Sequence, residues 1–141
     1  MDVDIRSSVS GSPPPARVRR ILAAAARAMR GEAREVSVFF CGDRRMAGLN
    51  RQWRRRNRST DVLAFPAGAP EGRFLGDIVI SVPYATRQAR RRGGPPSAEI
   101  DRLLLHGYLH LLGYDHETDD GEMDALEAKL RNRLGIAERA P

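Results

Sequence analysis

A chain of 141 residues is the size of one compact domain, and at 41% hydrophobic residues it has apolar material for one sizeable core. A charged fraction of 30% and a mean hydropathy of -0.47 point to a soluble protein. No run approaches the roughly 20 apolar residues of a membrane span, so no membrane partner is expected. The net charge of +6 and pI near 10.6 suit a polyanionic partner such as nucleic acid. Nearly all the bases are arginine, with Lys129 the only lysine, a bias that genome composition alone can produce.

Asp2 to Ser7 reads as a short first strand. A Gly/Pro/Ser connector from Ser10 to Pro15 leads into an amphipathic helix in which Val18, Ile21, Leu22, Ala25 and Met29 recur at helical spacing. That helix is expected to end near Arg30, with Gly31 as its stop. Its start, Arg17 to Arg20 ahead of apolar residues, loosely resembles a signal peptide. The apolar run from Ile21 to Ala26 is shorter than the ~7–15 residues expected, and Arg27 and Arg30 interrupt the stretch beyond it. A cytoplasmic protein is therefore expected.

Glu35 to Cys41 alternates, with Val36, Val38 and Phe40 on one face, and reads as a strand. Cys41 is the only cysteine, which rules out an internal disulfide and a multi-cysteine zinc site. It reads as a buried, inert thiol; the alternative, a catalytic thiol, finds nothing nearby to lower its pKa. Asp43 can cap a second helix whose apolar positions are Met46, Leu49 and Trp53. Next in the chain are a short strand, Asp61 to Phe65, a Gly/Pro-rich loop through Gly72 and a strand from Leu75 to Ser81. Pro83 to Arg92 forms a third helix, ended by Gly93 and Gly94. Ser97 caps a fourth, which ends at Gly113. The last helix begins near Asp119, where Asp119 and Glu122 have capping-box spacing, and carries Met123, Leu126, Leu130 and Leu134 on one face before Gly135. With no repeat or heptad, the interleaved elements predict a single α+β domain over residues 1–141. Residues 1–15 are its first strand and connector, and 135–141 a short tail.

All three histidines fall between His106 and His116. His106 and His110 are one helical turn apart on one face, so their imidazoles can reach a common ion. Gly113 can turn the chain and bring His116 back as a third ligand. Three nitrogen ligands with an open fourth position describe a catalytic zinc site; the alternative is a chance cluster of surface histidines. At about 100° per residue, Ile100, Leu104, Tyr108, Leu111 and Leu112 form an apolar stripe. His106 and His110 point the other way, alongside Glu99, Arg102 and Gly113. The spacing is that of the zinc-peptidase pattern H-E-x-x-H-x-x-G-x-x-H, except that Gly107 stands where those enzymes carry their general-base glutamate.

Arg51, Arg54, Arg55, Arg56 and Arg58 crowd the end of the second helix and the loop after it. They are a candidate anchor for a nucleic-acid backbone; a solvated helix face is the alternative. Arg90, Arg91 and Arg92 carry the same ambiguity. No aromatic residues are read as interleaving these arginines, so no base-stacking platform is expected.

The segment from His106 to His116, HGYLHLLGYDH, resembles the signature of the YbeY endoribonucleases, also described as ribosomal RNA maturation factors. Leu49-Asn50 with Arg54, the run Ser59 to Pro66, Leu75 to Ser81, and Glu122-Met123 with Leu126-Glu127 fit the same family over about residues 35–134. Ala64 departs from it, where serine is usual. The resemblance implies a zincin-like α+β fold with a mixed, about four-stranded sheet and a metal-binding helix near residues 97–112. It implies one Zn2+ ion held by His106, His110 and His116, and places the family's characteristic arginine at Arg54. It also implies single-stranded RNA as substrate, including the 3′ end of small-subunit ribosomal RNA. Ribosomal particles and assembly factors are the implied partners, and no DNA is expected.

On this reading zinc generates a nucleophile from water near neutral pH and Arg54 holds the scissile phosphate. Asp115 is a candidate general base or a group that orients His116, the alternative being a turn residue. Asp77 can hydrogen-bond loop backbone or shape the site. Glu117, Asp119, Asp120 and Glu122 suit a helix N-terminus better than a second metal. A ribosome-assembly binding factor with a mainly structural zinc is the second reading, and a zinc peptidase the third, disfavoured by Gly107.

Overall fold

The computed structural model describes residues 1–29, 34–55, 60–68, 72–115 and 117–136. Along them run β1 (Asp2–Ser7), α1 (Pro15–Ala28), β2 (Glu35–Cys41), α2 (Asp43–Arg54), β3 (Val62–Pro66), β4 (Phe74–Ser81), α3 (Val82–Arg92), α4 (Pro96–Leu111) and α5 (Glu122–Leu134). The four strands form one mixed sheet in the order β1-β2-β4-β3. β1, β2 and β4 are parallel, and β3 runs antiparallel to β4. β4 reads FLGDIVIS and is buried along nearly its whole length, as a strand covered on both faces should be. β3 is an edge strand, and Val62, Leu63 and Ala64 along it border a cleft shared with α2 and α4.

Strand alternation divides the apolar residues between two cores. Val36, Val38 and Phe40 of β2 and Ile78 and Ile80 of β4 join Val18, Ile21 and Leu22 of α1, Leu104 and Tyr108 of α4, and Met123 and Leu130 of α5. On the other face Cys41, Leu63 and Val79 pack with Met46 of α2, backed by Phe39, Leu49 and Phe65. The sheet is thus a septum with α4 on one side and α2 on the other.

β1 and β2 have the bounds expected from their alternation, and α3 ends at Gly93, whose φ of 76° suits glycine. Two caps differ from expectation. Gly42, not Asp43, is the N-cap of α2, because the Asp43 carboxylate accepts from Arg87 (2.7 and 3.0 Å) and from Ser81 Oγ (3.1 Å). Pro95, not Ser97, precedes α4, with Pro96 in its first turn and no side-chain cap. At α5 the expected partners are right but displaced. The Asp119 carboxylate accepts from the amides of Gly121 and Met123, both at 2.9 Å, while Gly121 is the N-cap. The expected stop at Gly31 lies outside the described residues, and α1 ends at Ala28.

α4 is not the two-faced helix its periodicity suggests. Glu99, Asp101 and Arg102 are 4–6% exposed, buried by partners from other elements. Arg17 of α1 grips Asp101 with two nitrogens (2.6 and 3.0 Å), and Arg92 of α3 reaches Glu99 (3.3 Å), which also pairs with Arg102. A buried charge is tolerated only when paired in this way, and these pairs tie α1 and α3 to α4. Among the described residues, no helix is long and apolar enough to cross a membrane.

Candidate metal centre

His106 and His110 stand on successive turns near the C-terminal end of α4. Their rings meet edge to face, 4.7 Å between centroids, and their Nε2 atoms are 3.2 Å apart. Two nitrogens bonded at 2.0–2.1 Å to one tetrahedral zinc ion stand about 3.3–3.4 Å apart, close to this separation. From behind, Glu127 of α5 places Oε2 3.2 Å from His106 Nδ1. With a neutral ring, Nδ1–H donates to that carboxylate and the lone pair stays on Nε2, facing His110. A carboxylate behind a ligating histidine is the usual way of fixing tautomer and ring orientation.

Burial alone would raise the Glu127 carboxyl. The hydrogen bond from His106, with the charges of His106, Arg131 and Arg102, outweighs it and holds the group below its ordinary value. Glu127 was not singled out as a site residue from sequence. The signal was there: it lies four residues after Met123 and three before Leu130, on the buried face of α5, where a carboxylate implies a buried partner.

His116 lies outside the described residues. Among the described residues, no third His, Cys, Asp or Glu completes the set. The chain reaches position 116 through the expected turn. Gly113 has φ 101°, its amide donates to His110 O (3.0 Å), and the Tyr114 amide donates to Leu109 O (3.1 Å). Asp115 Oδ1 accepts from the Glu117 amide (3.0 Å) and its carbonyl from the amides of Thr118 and Asp119, so its visible work is to hold this turn.

The histidines open on a cavity of about 220 Å³. Asn50 and Arg54 of α2 form one wall, residues 60–64 along β3 another, and Glu117 lies at the turn. Arg54 therefore shares the cleft with both described histidines, as its assignment to a phosphate requires. Arg51 faces a separate groove with Arg44 and Arg45. Arg55 is exposed at the left-handed C-cap of α2, with φ 57°. Arg56 and Arg58 lie outside the described residues. Asp77 lies with Asp4, Glu35 and Ser37 in a groove away from the histidines, so it does not shape this cleft. Arg92 is paired with Glu99.

Trp53 corrects the sequence reading. It is not a core position of α2 but 62% exposed, near the end of the helix and packed against Phe65. The two rings meet edge to face at 5.9 Å and 64°.

Gly107 faces the sheet. A β-carbon there would come within 2.8 Å of Ile78 Cγ2, and Ile78 is fully buried. A glutamate at this position would be driven into β4 rather than the cleft, so the peptidase general base has no room.

Comparisons with known proteins bear on the family of the chain. The family model described as "Endoribonuclease YbeY" matches residues 9–135. The protein named "Endoribonuclease YbeY" from Anaeromyxobacter sp. (strain Fw109-5) is 48% identical over 86% of this chain and 66% of its own length. That from Anaeromyxobacter dehalogenans is 46% identical over 85% of this chain and 64% of its own. The one from Solibacter usitatus is 42% identical over 92% and 89%. The chain thus spans just under two thirds of the length of the first two relatives and most of the third. The solution structure of TM1509 from Thermotoga maritima superposes with a TM-score of 0.69 at 28% identity, covering 94% of this chain and 89% of that one. With a family match over most of its length and several relatives above 40% identity, the chain belongs to the YbeY family.

Proposed function

We propose that this chain is a metal-dependent endoribonuclease that cuts single-stranded RNA, with one zinc ion held by His106, His110 and His116. The observation that carries the reading is the convergence of two imidazole Nε2 atoms at 3.2 Å, in a cavity whose other wall holds Arg54. When bound, zinc supplies Lewis acidity toward a phosphoryl oxygen and ionises water near neutral pH.

The chain's own residues bind and orient. Arg54 grips the scissile phosphate through its planar fork and offsets charge that develops on the phosphoryl oxygens. Glu127 holds His106 by Nδ1–H and keeps Nε2 available. Asp115, engaged by the Glu117 amide, is a positioning residue for the turn next to His116 rather than a proton acceptor. The family resemblance extends the proposal to ribosomal RNA, including the 3′ end of the small-subunit molecule, with ribosomal particles as partners in the cytoplasm.

Chelation tests the reading against a structural zinc. A chelator should abolish cleavage of single-stranded RNA, zinc should restore it, and the far-ultraviolet circular dichroism should stay unchanged. Unfolding on metal removal would instead favour the assembly-factor reading.

A further inference from the structure

We propose that Trp53 is a stacking platform for a base of the single-stranded RNA in the histidine cleft, next to the phosphate held by Arg54. The proposal rests on the RNA-cleaving reading of this site and specifies how the site grips its substrate. Trp53 is the only tryptophan in the chain, and at 62% exposure it is far more open than Phe74 at 39%. Its place is not accidental to the cleft. Arg54, the next residue on α2, and Ala64, the residue before its partner Phe65 on β3, both line the histidine cavity. The Trp53–Phe65 pair therefore adjoins, in the chain, one residue of each of those two walls.

Nor is it a loose surface side chain. Phe65 holds it edge to face at 5.9 Å, a geometry that fixes an aromatic ring, while most of the residue stays open to a flat ligand. Arg54 and Arg55, the next two residues, are exposed, so a phosphate beside a stacked base would meet guanidinium groups. An aromatic ring among exposed arginines is the combination that binds single strands without regard to sequence, because every base offers a flat face. A protein partner has less to recommend it, since among the described residues the large exposed hydrophobics are Trp53 and Phe74 alone, and the two residues that follow Trp53 in the chain are cations.

The single tryptophan is its own reporter. The full-length, zinc-loaded chain is titrated with a short single-stranded 2′-O-methyl oligoadenylate, tracking intrinsic fluorescence, and with the labelled oligonucleotide, tracking anisotropy. Binding should quench the Trp53 emission. Trp53→Ala should weaken binding by about 5- to 100-fold, and Trp53→Tyr should restore most of it. Binding with unchanged emission and an unchanged Kd in Trp53→Ala would overturn the stacking role while leaving the RNA-cleaving reading standing. No binding by the wild type would overturn both.

Discussion

Gly107 lies so close to Ile78 that the smallest added side-chain carbon would stand 2.8 Å from its Cγ2. α4 can approach β4 this closely only with glycine at the contact, and the approach carries His106 and His110 to the edge of the sheet beside β3. Replacing glycine in a helix normally gains about 1 kcal/mol, but overpacking a fully buried, β-branched neighbour costs about 1–3 kcal/mol. Gly107→Ala is therefore expected to lower stability by about 1 kcal/mol, seen as a fall of several degrees in Tm. A variant as stable as the wild type would show that the contact is slack.

Glu127 should matter through His106. Glu127→Gln keeps the shape but replaces an acceptor-only carboxylate with an amide. Loss of such a partner typically weakens metal binding about 10- to 100-fold. Competition with a chromogenic chelator measures this directly, and an unchanged zinc affinity would remove Glu127 from the centre.

Arg54 lines the cleft from α2 while the two described histidines stand on α4, so metal binding and phosphate binding should separate. Arg54→Ala is expected to bind zinc as the wild type does and to lose RNA cleavage by about 10²-fold or more, the scale of losing one charge-stabilising donor. A variant that cleaves normally would take Arg54 out of the mechanism.

Burial pushes the Cys41 thiol up from 9.0 to about 11, with Arg45 opposing and Asp43 adding to the shift. The folded state thus holds the proton more tightly than the unfolded chain. Its contribution is fully present below pH 9 and is lost as pH rises from about 9 to 11. Over that window the wild type should lose more urea stability than Cys41→Ala, which has no thiol to ionise. At pH 8 a thiol reagent should react with the native chain only as fast as it unfolds.

What could be read from sequence tracked the local physics. The alternation of β1 and β2, the glycine end of α3 and the turn at Gly113 depend on neighbouring residues, and all are seen. The misreadings have distant causes. Asp43 is drawn from its cap by Arg87, 44 residues away. Glu99 and Arg102 are placed on the histidine side by periodicity but are buried, paired with each other and with Arg92. Glu127 and Trp53 are a mirrored pair: each lies at an apolar helix position, yet one is a buried carboxylate held by His106 and the other an open indole. Which neighbour fills or vacates such a position is decided by tertiary packing, which no spacing rule contains. The histidine cluster was legible because two of its members are close in sequence, and Glu127 was not because it arrives from another helix.

The most direct test of the central claim sets the purified wild type beside an identically prepared His110→Ala variant on end-labelled single-stranded RNA. Discrete cleavage by the wild type and none by the variant is expected if the histidine centre carries the reaction. Equal cleavage by both would place the activity elsewhere and contradict the account.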